Sequence, residues 1–303
     1  MTQFITAFFS GSSHGAIYAL VSMGLVLVWR GAGVVNFAQM GQAMFTTYIA
    51  SQMIMHKNSY WIAFVTALLA GAILGSIIDF GLMRPLSARK NSALLASESM
   101  RTTIPVIASL GVLGILKALA GIIWAGEERG FPSPVSTNGI KFGTTTLAFT
   151  AFDLFVIGIV LITLLLTTIF FTKTGMGLAM RASALNPEVT RLSGVRIKSV
   201  RTLSWAISGM ASSLAGLLIT PSTNLSPNTL DLLLIVGFTA AVIGGLTSLV
   251  GAVVGGFAIG YVISFVNVYS SPENVFLAIL IFLMLMLFLR PQGIFGAKEV
   301  RRV

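Results

Sequence analysis

Between residues 8 and 289 the chain is a succession of apolar runs, each 15 to 23 residues long, set apart by polar breaks. About 20 apolar residues wound into a helix cross the ~30 Å hydrocarbon core of a bilayer. The runs fall at residues 8–29, 35–55, 61–83, 103–124, 152–171, 203–219, 232–246, 249–266 and 275–289. A large soluble core would need a polar exterior, and this chain has none to offer: 9% of its residues are charged, against about 25% in soluble domains. The reading is an all-α polytopic membrane protein of about eight to nine transmembrane helices, a single transmembrane domain over residues 1–303. The first of the runs between 232 and 266 is near the lower length limit, so that pair is open to being a broken or re-entrant helix pair.

The start of the chain lacks a basic leader and a small-residue cleavage pattern, and is read as a retained first span. That span carries His14 with several Ser and Gly residues, a composition suited to packing inside a bundle. With no Cys in the chain, disulfides, thiolate metal sites and cysteine catalysis are excluded.

The net charge is +10. No aromatic-basic platform accompanies it, so nucleic acid is not the partner; the charge instead sets orientation. With nine crossings and the N-terminus outside, 15 Lys and Arg side chains fall on the inner side, 3 on the outer, and Lys117 within a span. Basic residues favour the cytoplasmic side, which puts the C-terminus in the cytoplasm. The largest basic interruption is residues 172–202, with Lys173, Arg181, Arg191, Arg196, Lys198 and Arg201 against the one acid Glu188. Arg84, Arg89, Lys90 and Arg101 make a second, smaller one.

Polar residues inside the apolar runs are costly and need partners. Asn36, Gln39 and Gln42 recur at three-residue steps, and a helix starting near 35 would place them on one side. Such a row lines either a helix interface or a water-filled path. Asp79 is read as pairing with Arg84 or another loop charge, or as an ion-coupling carboxylate. Pro105 falls in the first turn of a span starting at 103, where proline is tolerated. Lys117 either snorkels or faces inward. Residues 127–146 read as a loop outside the membrane, with a short hairpin around KFGTTTLAF, and 221–231 as a polar break. Gly251, Gly255, Gly256 and Gly260 are spaced for close helix packing.

No catalytic constellation emerges. There is no GxxxxGK[ST] run, so ATP is not hydrolysed by that route, and His14 and His56 stand far apart with no HExxH or carboxylate cluster to hold a metal. Passage of a solute remains, with a structural membrane subunit as the bland alternative.

Three stretches sharpen this: GAIYALVSMGLVLVWRGAGVVNFAQMGQAMFTTYIA at 15–50, TGMGLAMRASALNPEVTRLSGV at 174–195, and GFTAAVIGGLTSLVGAVVGGFAIG at 237–260, closed by PQGIF at 291–295. In this order they resemble the LivH-type permease family, the membrane subunits of ATP-binding-cassette importers for branched-chain amino acids. The resemblance implies a permease domain in a bacterial or archaeal cytoplasmic membrane, with a second homologous permease subunit, two ATP-binding subunits carrying ATP and Mg, and an extracytoplasmic solute-binding protein. It also implies that 174–195 is the coupling element, with Gly177, Leu178, Met180, Arg181, Asn186, Pro187, Glu188 and Arg191 as its residues. A helix near 177–185, stopped by Asn186-Pro187, would insert Leu178, Met180 and Leu185 into a partner groove. Asn36, Gln39 and Gln42 become the candidate solute path, and 221–231 a receptor-facing loop. Two departures bear on the substrate: Gln39 with an extra Met40 stands where the family has His, and Val236 where many members carry a basic residue. Both remove charge or a titratable group near the path, which leaves urea, short-chain amides or another small polar solute open beside branched-chain amino acids. A secondary transporter working without partners is the alternative of another class.

Overall fold

The computed structural model describes residues 2–88, 98–142 and 145–296. Arg89 and Lys90 of the smaller basic interruption, and Lys298, Arg301 and Arg302 at the end, lie outside them. The chain is an all-α polytopic membrane protein in which, among the described residues, seven helices are long and apolar enough to cross a bilayer. The elements begin, in chain order, with α1 (Thr2–Ala32), α2 (Gln39–Met55), α3 (Tyr60–Ile78), a π-helical turn (Asp79–Met83), α4 (Arg84–Ala88) and α5 (Glu98–Trp124). A two-stranded antiparallel hairpin follows, β1 (Gly139–Phe142) with β2 (Thr145–Thr150), in the stretch where the sequence suggested one. Then come α6 (Ala151–Lys173), α7 (Gly175–Leu185), α8 (Pro187–Leu192), α9 (Ile197–Ile219), α10 (Asp231–Gly244), α11 (Leu249–Tyr269) and α12 (Val275–Leu289).

Several boundaries differ from the expectation for physical reasons. α5 begins at Glu98, so Pro105 sits within the helix and not in its first turn, forfeiting one i to i−4 bond. α10 has 14 residues; at ~1.5 Å per residue it reaches ~21 Å, short of the hydrocarbon core. α2, with 17 residues, lies near the lower limit.

By internal contacts the chain forms two compact units. One comprises Met1–Val26, Pro132–Leu166 and Ile235–Val303. In lipid the hydrophobic effect does not draw helices together, so small residues that let backbones approach do that work. Here Gly11 and Gly15 of α1 face Tyr261, Phe257 and Gly260 of α11, and Gly256 lies against Ala19. Gly251 and Gly255 meet the backbone of α10 at Gly244 and Ala240. The four glycines singled out in α11 thus all abut another helix's main chain. The Ser12 and Tyr261 hydroxyls share a hydrogen bond of 3.0 Å, and Ser264 Oγ donates to the Ala7 carbonyl at 2.7 Å. The turn after α10 needs Gly245 at φ +100°, and the closing PQGIF segment docks on it: Ile294 N–H donates to the Ile243 carbonyl at 2.8 Å.

The second unit comprises Leu27–Phe131 and Thr167–Leu234. α9 is its axis. Gly71 of α3 meets Gly209, Gly75 meets the Trp205 carbonyl, and Gly216 meets Ala43 and Thr47 of α2. Trp205, fully buried, packs with Val28, Ile78 and Met83. The break after α9 is tied down from the same unit: Arg129 and Leu225 exchange backbone hydrogen bonds of 2.8 and 2.9 Å. Lys117 Nζ reaches Asp231 Oδ2 at 2.5 Å and Asn228 Oδ1 at 3.1 Å. Of the two expectations for Lys117, the geometry is that of an inward contact, with Asp231 at the start of α10 as its partner.

Candidate functional site

The segment 174–195 folds as two short helices hinged at one residue. Thr174 caps α7, its Oγ1 accepting from Gly177 N–H at 3.0 Å. Gly177 is required where it is because a side chain there would run into the Phe170 and Phe171 backbone at the end of α6. Asn186 closes α7 in an extended conformation and caps α8, its Oδ1 accepting from Glu188 and Val189 N–H, both at 3.1 Å. Pro187 opens α8, which suits a residue with no N–H to satisfy. The second helix was not expected from the sequence. Asn-Pro reads as a stop, and the same pair can also be a restart.

Side-chain placement changes the expected docking face. Leu185 is 88% exposed and Leu178 is also exposed, but Met180 is 1% exposed and turned into the unit. Met180 therefore anchors α7 and is not available to fill a partner's groove. Val189 and, at 87%, Leu192 of α8 take its place on the outward side. Sequence reading missed both, though their three-residue spacing within a short helix was the available signal. Arg191 is exposed, and Arg181 is half-buried with its Nε lacking a partner among the described residues. Arg30, over the Phe171 ring at 5.6 Å, lies within electrostatic reach of Arg181.

Where α9 begins, a buried ionic cluster joins it to the end of α3. Asp79 is 0% exposed. Its Oδ2 accepts from Arg84 Nε at 3.0 Å and from Thr202 Oγ1 at 2.6 Å, and Arg201 Nε lies 2.7 Å from Oδ1. Arg84 also donates to the Lys198 carbonyl at 3.0 Å, and Arg201 to Ser87 Oγ at 2.9 Å. Of the two readings of Asp79, the geometry is that of pairing with Arg84 and another charge. The π-helical turn starts at Asp79 and carries the chain into Arg84, five residues on.

Asn36, Gln39 and Gln42 are each fully buried. They do not share one helix: α2 starts at Gln39, and Asn36 lies in the link before it, its carbonyl accepting from Gln39 N–H at 3.4 Å. Neither Asn36 nor Gln42 finds a side-chain partner among the described residues. Opposite Gln42, α9 presents Gly209, whose added Cβ would stand 3.5 Å from the Gln42 Oε1. Thr46 Oγ1 donates to Ser213 Oγ at 2.8 Å, and Ser208 Oγ, also fully buried, has no partner among the described residues. The result is a seam of uncharged donors and acceptors between α2 and α9. Ser208 and Ser212 stand among the small residues of α9, a composition that reads as helix packing and not as the facing half of a polar row.

The chain matches the family model described as branched-chain amino acid transport system / permease component over residues 7–289. It is 30% identical over 96% of its length to a protein of Methanocaldococcus jannaschii described as "Probable branched-chain amino acid transport permease protein LivH", covering 92% of that protein. It is 26% identical to the high-affinity branched-chain amino acid transport system permease protein LivH of Escherichia coli, over 99% of this chain and 98% of that one. A fructose import permease protein of Bifidobacterium longum is 24% identical over 82% of this chain and 67% of that one. Among solved structures, PsaBC from Streptococcus pneumoniae in complex with Fab shares the fold, with a TM-score of 0.51 at 15% identity over 96% of this chain and 93% of that one.

Proposed function

The chain belongs to the family of permease components of branched-chain amino acid transport systems, and from that premise we propose that it is the non-catalytic membrane subunit of an ATP-driven importer. In this reading residues 1–303 act as one permease domain in a prokaryotic cytoplasmic membrane, C-terminus inside. It assembles with a homologous permease subunit and two ATP-binding subunits, of which one docks on segment 172–202. A solute-binding protein delivers cargo from outside, with the break at 221–231 as its contact. The solute is small and polar, branched-chain amino acids first.

The observation that supports coupling is the hinged pair α7–α8, with Leu178, Leu185, Val189 and Leu192 outward and Arg181 Nε without a partner among the described residues. Exposed apolar side chains around a cation with no ion pair among the described residues suit a protein groove with an acidic or carbonyl acceptor. Fully buried Asn36, Gln42 and Ser208, which have no side-chain partner among the described residues, support a solute path by the same logic, since such groups are costly unless something passing supplies them. Gln39 and Val236 carry no charge, which favours urea or a short-chain amide as the second reading of the cargo.

The test is reconstitution in vesicles with the ATPase and binding-protein subunits. Arg181→Glu is expected to leave the complex assembled and to lower solute-stimulated ATP hydrolysis about thirtyfold, the scale of a ~2 kcal/mol hot-spot loss. Undiminished coupled turnover in an assembled complex would sink the docking assignment. Uptake by this chain with no ATPase present would make it a secondary transporter instead.

A further inference from the structure

A cavity of about 850 Å³ opens where α8 gives way to α9, lined by Arg84, Arg191, Arg196 and Lys198 with Glu188 as its only acid. Three of these cations, Arg191, Arg196 and Lys198, form no ion pair among the described residues. The fourth is held in place from behind: Asp79 fixes Arg84 Nε at 3.0 Å and the Lys198 carbonyl accepts from its Nη2 at 3.0 Å. Next to it lies a second cavity of about 400 Å³, which shares Val195, Arg196 and Ser199 with the first. Its remaining lining is apolar, from Met176, Ala179 and Val200. The pair is therefore a cationic chamber continuous with an apolar cleft.

Depth identifies what fits. Arg84 lies in the last turn of the candidate span Tyr60–Ser87, and Ile197, which lines the chamber, opens the span Ile197–Ser222. Both spans end here, so the chamber lies at the headgroup boundary, and Val200 carries the cleft one turn into the span Ile197–Ser222. A free phosphate would need only the cations. A molecule with a phosphate at headgroup depth and methylenes attached uses both compartments.

We propose that this is a binding site for an anionic phospholipid, its phosphate among Arg84, Arg191, Arg196 and Lys198 and its glycerol and first acyl carbons against Met176, Ala179 and Val200. The assignment depends on span ends and not on the transport reading, and it is tested on this chain without ATPase subunits. The site also adjoins α7, so lipid occupancy would bear on the segment proposed to couple.

The experiment extracts the full-length protein from vesicles of phosphatidylcholine mixed with phosphatidylglycerol and counts retained lipids by native mass spectrometry. Phosphatidylglycerol is expected to be retained in preference. Arg191, Arg196 and Lys198 replaced together by Ala should reduce that preference roughly a hundredfold, at about fivefold per basic residue. Ala179→Phe, which fills the cleft, should weaken phosphatidylglycerol and leave binding of inorganic pyrophosphate unchanged. Equal retention of both lipids by the unaltered chain overturns the proposal. So does an unchanged preference in the triple variant, or a cleft variant that keeps full lipid retention while pyrophosphate competes freely, which would mark a soluble-phosphate site. Binding of a polyglutamate peptide with no retained phosphatidylglycerol would make the chamber a protein contact and equally overturn it.

Discussion

Replacing Gln42 by leucine removes two amide atoms that are fully buried and have no partner among the described residues. Leaving a buried polar group unsatisfied costs about 1–3 kcal/mol, so Gln42→Leu is expected to raise the thermal midpoint in detergent while lowering solute uptake. Asp79 is as deeply buried and should respond oppositely. Its carboxylate holds two arginines and a threonine, and Asp79→Ala would leave two cations uncompensated, at a cost of about 3–5 kcal/mol. A fall in stability for both, or unchanged uptake for Gln42→Leu, would remove the seam from the solute path. The sequence made the residues of both sites visible because polar groups in apolar runs stand out. It placed Asp79 with Arg84 because they are near in the chain, and left open the second partner, Arg201, which lies far along the sequence and is brought close only by the packing of α3 on α9.

α9 shows what a single element contributes. Its small residues at 208–216 let α3 and α2 approach within main-chain contact. A Cβ at Gly209 would collide with the Gly71 carbonyl, and backbone cannot rotate away as a side chain can. Gly209→Val should therefore force the helices apart and lower stability by about 1–3 kcal/mol. Gly158→Ala in α6, where nothing lies within 4 Å, is expected to be neutral or stabilising by up to about 1 kcal/mol. Denaturation in mild detergent separates the two; equal behaviour would show that glycine spacing in α9 is incidental. Small residues announced close packing from the sequence. Their partners could not be read there, because four-residue spacing says that a face is smooth and nothing about which helix lies on it. Element ends were least legible, as the start of α2 after Asn36 and the early start of α5 show: both lie away from where hydropathy alone begins the run.

Across the whole molecule, burial sorts the spans. The most apolar windows of α1 and α9 are each 72% buried, whereas the span Pro272–Leu289 is 6% buried and presents its side chains to lipid or to another subunit. This is why α1, with its Ser, Gly and His14, was recognisable as an interior helix, and why α12, nearly uniformly apolar, was not informative beyond crossing. Orientation is the global property left to measure, and the chain suits the measurement because it has no cysteine. Leu192→Cys, on the exposed tip of α8, should react with a membrane-impermeant maleimide only after the cytoplasmic face is opened, and Ser133→Cys in intact cells. Reversed labelling would invert the topology and move segment 172–202 away from any ATPase.

Asn186 ends one helix and begins the next, with no spare residue between them. Mechanically, α7 and α8 form a bell crank: with no slack at the pivot, load applied to Leu192 would pass through Asn186 into α7 and on to the end of α6. The return to α9 runs through 193–196, where Gly194 at φ +83° sets the angle. A fixed pivot and a return angle set by one left-handed glycine would make the throw of this lever depend on the residue at 194 more than on any side chain that touches a partner.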